Sequence, residues 1–143
     1  MPRLRIHLVR EAPPRYRRRV PLRTSAEVFA IVDAEARTWD REHFLSLALD
    51  GKNRLIGADE ISVGTLTASL VHPREVMKGL VLANAAAFIL VHNHPSGDPT
   101  PSAEDRAITA RIKECADLFG IRLLDHVILG LGAYHSLADA GEL

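Results

Sequence analysis

Apolar and polar positions alternate and cluster along the chain in a way that predicts its elements one by one. Leu4, Ile6 and Leu8 alternate with Arg3, Arg5 and His7, the period-two signature of a short half-exposed strand. Glu11 to Pro21 reads as a loop, broken by Pro13, Pro14 and Pro21. Thr24-x-x-Glu27 is a capping box that opens a helix to about Thr38, with Val28, Ile31 and Val32 at helical spacing. Phe44 to Leu49 is almost wholly apolar and predicts a buried strand; the turn Asp50-Gly51-Lys52-Asn53 pairs it in a hairpin with a strand over Arg54 to Ile61. Gly64 to Leu70 continues as a third strand. Pro73 suits the first position of a helix whose apolar stripe is Val76, Leu80 and Leu82.

The second half is more informative. Ala87 to Val91 predicts another short buried strand, followed at once by a segment in which Pro95, Pro99, Pro101 and Gly97 exclude helix and central strand. A helix follows from Ala103 to Phe119, with Ile108, Ile112, Cys115 and Leu118 or Phe119 facing inward and Gly120 as its stop. Ile121 to Leu129 and Ala133 to Ser136 complete the pattern as strands. The order is αβββαβαββ after a leading strand, which predicts an α/β (mixed α+β) single domain: a mixed sheet flanked by helices.

Composition narrows the classes. The chain has 143 residues, 47% of them hydrophobic and 25% charged, enough for one self-sufficient core. A single cysteine, Cys115, excludes an intramolecular disulfide framework and a CxxC zinc finger. No apolar run approaches the roughly 20 residues of a membrane span, and the start of the chain has no signal-peptide-like stretch, so a cytoplasmic location away from membranes is expected. The net charge of zero conceals a dipole. Residues 1–23 carry eight arginines against Glu11, a charge of +7, and the remainder carries −7. A basic arm over 1–23 ahead of a domain over 24–143 is the expected organisation. Such an arm fits nucleic acid, or a solvated tail on an arginine-rich chain.

His92 and His94 stand two apart at the end of a predicted strand, so both imidazoles leave the same face and converge. Catalytic zinc takes three protein ligands and keeps one position open. The best third ligand is Asp105, at the start of the next helix, where the helix dipole favours a carboxylate. Ser102-x-x-Asp105 reads equally as a plain N-cap with an acidic N3 residue.

The string His92-x-His94, seven residues, Ser102, two residues, Asp105 matches the signature of JAMM (JAB/MPN) metalloproteins. HNHPSGDPTPSAED, with VHPREVMKG upstream and LLDHVILG downstream, more closely resembles the JAB-like domain of the RadC family, over about Thr24 to Ser136. Longer RadC proteins carry an N-terminal helix-hairpin-helix-type region, which this chain is too short to hold. The resemblance implies a JAB/MPN-like fold and one zinc per chain on His92, His94 and Asp105. It also implies an oxyanion-stabilising role for Ser102. The general base would be a glutamate just before an early buried strand: Glu42 occupies that place, with Glu60 in the next strand as the alternative.

The expected function is a zinc-dependent hydrolase of JAMM type, metallopeptidase-like, acting on an amide or isopeptide bond of a peptide or protein. Two alternatives stand beside it: a DNA-repair-associated nucleic-acid-binding protein or metal-dependent nuclease, and a catalytically silent metal-bound scaffold. Magnesium nucleases rely on carboxylates and water rather than a His-x-His pair. Asp125 and His126 belong to the family pattern and read either as groups orienting a ligand histidine or as a structural pair. His72 reads as a helix-start residue, Ser96 as turn chemistry and Cys115 as an inert core thiol; His7, His43 and His135 have no partner visible in the sequence.

Overall fold

The computed structural model describes residues 1–9, 11, 20–64 and 71–143. Three helices, α1 (Ser25–Ala36), α2 (Pro73–Leu82) and α3 (Ala103–Phe119), accompany five strands: β1 (His43–Leu49), β2 (Leu55–Val63), β3 (Ala87–Asn93), β4 (Arg122–Leu129) and β5 (Tyr134–Ser136). The strands form one mixed sheet in the order β2-β1-β3-β4-β5. Only β3 and β4 run parallel, as a βαβ crossover through α3 requires; the other neighbours are antiparallel.

Local chemistry explains the boundaries. Thr24 caps α1 through the reciprocal capping box with Glu27. His72 caps α2 by accepting from the Arg74 amide, and Pro73 takes the position where a missing N–H costs nothing. Gly120 ends α3 in the left-handed conformation, φ 69°. The sheet is buried on both faces over β1, β3 and β4, while the edge strand β2 stays partly exposed. One face packs Phe44, Phe88 and Leu90 against Val76, Leu80, Ile108 and Ile112 of α2 and α3. The other packs Leu45, Leu47, Ile89 and Val91 with Val28 and Val32 of α1. Leu22 joins the second cluster, and the Leu22 amide donates to the Asn53 carbonyl, so the chain is tied to the sheet just before α1.

Several expectations need correction. Residues 1–9 form no strand: Leu4 and Ile6 are exposed, because alternation supplies a strand face but not a neighbouring strand to pair with. On α1, Ile31 points outward beside the buried Val28 and Val32. On α2, Met77 rather than Leu82 completes the buried stripe of Pro73, Val76 and Leu80. On α3, Leu118 and Phe119 lie exposed at the last turn, Cys115 is half-buried, and the inward stripe is Asp105, Ile108, Thr109, Ile112 and Ala116. That stripe admits two polar residues, for reasons given below. The predicted strand over 64–70 lies, apart from Gly64, outside the described residues, as does most of the 11–21 loop. Among the described residues no helix is long and apolar enough to cross a membrane.

Candidate metal centre

The crossover topology brings the candidate ligands together. In a βαβ unit the loop leaving a strand and the start of the next helix meet at the strand's carboxyl end, where ligands commonly bind. His92 lies on β3, His94 just beyond it, and Asp105 in the first turn of α3. The Nε2 atoms of His92 and His94 are 3.0 Å apart. Asp105 places Oδ1 3.2 Å from His92 Nε2 and Oδ2 3.3 Å from His94 Nε2. All three ligand atoms fall within 4.8 Å of one another. Donors about 2.0–2.1 Å from a tetrahedral ion stand roughly 3.3 Å apart, so this donor set, two imidazoles and a carboxylate, fits zinc in kind and in spacing.

Each ligand is oriented from behind. His94 Nδ1 faces the Asp98 carbonyl oxygen at 2.8 Å within its own loop. His92 Nδ1 meets His126 Nε2 at 2.7 Å, and His126 Nδ1 meets Thr109 Oγ1 at 2.5 Å. The Thr109 hydroxyl in turn donates to the Asp105 carbonyl, 2.6 Å away. Burial pushes His126 well below the usual imidazole range, reinforced by its neighbour His92, so its ring is neutral and one nitrogen must accept. If His92 offers Nε2 to an ion, the donor count has a single solution. His92 Nδ1–H donates to His126 Nε2, His126 Nδ1–H donates to Thr109, and Thr109 donates to Asp105. The polar positions on the inner stripe of α3 close this loop.

Asp105 joins the cap of α3 to the two imidazoles. Its amide donates to Ser102 Oγ at 3.0 Å and its Oδ2 accepts from the Ser102 amide at 2.7 Å, a complete capping box, while its carboxylate faces both imidazoles. Burial would raise its pKa. The hydrogen bond and charge of His92, with the bonds from Ser102, outweigh burial and hold it well below the usual carboxylate range.

Glu42, His94, Pro95, Ser96, Ser102, Glu104 and Asp105 line one cleft of about 330 Å³. A second cleft of about 440 Å³ is lined by Asp40, Arg41, Glu42, Gly64 and Pro95, so the two meet at Glu42 and Pro95. Glu60 lies elsewhere: its carboxylate bonds His43 Nδ1 at 2.8 Å, and the His43 ring stacks on Trp39 with centroids 4.4 Å apart. His135 likewise has a partner in Glu142, at 3.0 Å. Neither pairing has a sequence signal, since both join residues on separate elements or turns.

Asp125 and His126 separate in role. His126 touches His92, whereas both oxygens of buried Asp125 serve the backbone and the end of the chain. Oδ1 accepts from the His126 and Ala138 amides, and Oδ2 accepts from the Ser136 hydroxyl at 2.6 Å. The loop carrying His94 is braced by residues 130–133. The Leu131 amide donates to the Gly97 carbonyl at 2.9 Å, and a Cβ on Gly130 would collide with that same carbonyl.

Comparison with known proteins agrees with this arrangement. A family model described as "RadC-like JAB domain" matches residues 22–142. Relatives named "UPF0758 protein" are 55% identical over 117 residues in Pelobacter propionicus, 53% over 118 in Geotalea uraniireducens and 48% over 123 in Desulforamulus reducens. These alignments cover 82%, 82% and 86% of this chain but 51%, 52% and 54% of the relatives, so the chain spans about half their length. A match that runs from the strand-bound Leu22 to the last residue but one embraces the whole sheet, its helices and the His-His-Asp triad: the chain belongs to the RadC-like JAB domain family.

Proposed function

We propose that this domain is a zinc-dependent hydrolase that cleaves an amide or isopeptide bond in a peptide or protein. The observation that carries the reading is the lining of one cleft by Glu42, Ser102, His94 and Asp105 together. His92, His94 and Asp105 would hold the ion. Zinc there would supply Lewis acidity, bringing the pKa of water from 15.7 toward about 7. Glu42 takes the proton of the attacking water and returns it to the leaving nitrogen. Ser102 accepts from the Asp105 amide through its oxygen, and its hydroxyl proton is donated to the oxygen on which negative charge develops.

The walls favour a peptide over a phosphodiester. Outside the ligand set, Asp40, Glu42 and Glu104 line the joined clefts, with Arg41 paired to Asp40, and this net negative charge suits a neutral amide better than a phosphodiester. Clefts on both sides of Glu42 give an extended chain a path across the catalytic group.

The test is a screen of the zinc-loaded protein against peptides and lysine-linked isopeptides, with Glu42→Gln and His92→Ala alongside. Turnover should fall about 10²–10⁴-fold in Glu42→Gln with zinc retained, and should vanish with the zinc in His92→Ala. Cleavage that survives His92→Ala at full rate overturns the reading; no cleavage of any amide leaves the metal-bound scaffold.

A further inference from the structure

Between the two histidines stands Asn93, a residue whose side chain leaves the opposite face of β3 from theirs. It is buried, at 7% exposure, and both ends of its amide are engaged. Oδ1 accepts from the His43 amide at 2.7 Å, and Nδ2 donates to the Arg41 carbonyl at 3.0 Å. These two backbone groups flank Glu42. We infer that Asn93 is a positioning residue that holds Glu42 at the mouth of the metal triad, an inference that rests on Glu42 being the general base.

The register shows why an asparagine is needed there. β1 and β3 pair in antiparallel fashion from Leu49–Ala87 to Phe44–His92, where the ladder stops. One step further, the Asn93 side chain offers what the next backbone rung would have offered, a donor and an acceptor in one planar amide. The amide thereby ties the two residues flanking Glu42 to β3 past the end of the ladder. Phe44 packs its ring against His92, with centroids 5.7 Å apart, and Glu42, two residues earlier, lines the same cleft as His94 and Asp105. On the far side the Glu42 carbonyl accepts from the Gly64 amide at 2.8 Å. His43 is fixed on the opposite face by Trp39 and Glu60. The backbone around Glu42 is thus held from both sides, by Gly64 on its own carbonyl and by Asn93 on its two neighbours. Because the residue belongs to the same tripeptide as both histidines, base and metal ligands move as one unit.

Substituting alanine removes a donor and an acceptor while leaving the ligand side chains in place. The probe is cobalt(II), loaded at one ion per chain, whose visible spectrum changes as its coordination sphere titrates. A carboxylate beside that sphere raises the midpoint, since it opposes a second negative charge. Glu42→Gln should lower the midpoint. Asn93→Ala should lower it by at least half as much, with full metal loading and a native circular dichroism spectrum. Asn93→Thr, which keeps a good strand residue but cannot bridge both groups, guards against a folding defect and should behave like Asn93→Ala. Folded, metal-loaded Asn93 variants with the wild-type midpoint overturn the inference while Glu42→Gln still shifts. A Glu42→Gln midpoint that does not move overturns the base assignment itself. Loss of fold in both Asn93 variants makes the residue a fold determinant and also overturns the inference.

Discussion

Thr109 illustrates how a single buried hydroxyl can link two candidate ligands on different elements. It receives the proton of His126, which in turn holds His92, and it donates to the backbone of Asp105. Thr109→Val keeps the shape and deletes the link. His126 Nδ1–H is then left buried without an acceptor, and His92 loses the partner that fixes its tautomer. Removing such outer partners typically weakens metal binding about 10–100-fold. Zinc affinity of Thr109→Val, measured by competition with a chromophoric chelator, should fall by roughly tenfold or more; unchanged affinity would show that His92 needs no support from α3.

At the scale of elements, the C-terminal end of the sheet depends on one carboxylate. Asp125 receives the amides of His126 and Ala138 and the hydroxyl of Ser136, and Ser136 Oγ accepts from the Asp139 amide. The short strand β5 and the turn after it therefore hang from β4 through this group as much as through their three ladder pairs. Asp125→Ala leaves buried donors unpaired and should destabilise the domain by about 3 kcal/mol, read from the shift in the urea midpoint. Zinc stoichiometry should stay at one per chain, because Asp125 does not contact the triad. A variant that loses zinc but not stability would reverse the roles of Asp125 and His126.

For the whole molecule, the site is attached to a core that does not need it. Two apolar clusters on either face of the sheet join all three helices to the strands, and none of the triad belongs to them. A domain of this size buries enough surface to fold without an ion, unlike a zinc finger. Chelation should leave the far-ultraviolet circular dichroism spectrum essentially unchanged. It should lower stability by on the order of 3–4 kcal/mol when zinc had been present at 100–1,000 times its Kd. Loss of most secondary structure on chelation would make the ion part of the fold.

Signals that lie close together in the chain were readable from it. The capping boxes of α1 and α3, the proline at the start of α2, the hairpin turn and the glycine ending α3 act over four residues or fewer, through backbone hydrogen bonds that short-range chemistry dictates. The His-x-His pair and Ser102-x-x-Asp105 are of the same kind, so three candidate ligands and a cap are legible in the chain. Which apolar residues of a helix face inward was another matter. Ile31, Leu118 and Phe119 have the right chemistry and are nonetheless exposed, since burial depends on what lies opposite. Leu4, Ile6 and Leu8 alternate correctly and still make no strand, since a strand exists only with a partner. The partners of Glu60, His43, His126 and Asn93 lie between 17 and 52 residues away in sequence. The register of β1 on β2 and on β3, and the crossover through α3, bring those groups within hydrogen-bonding reach, and these are properties of the assembled sheet.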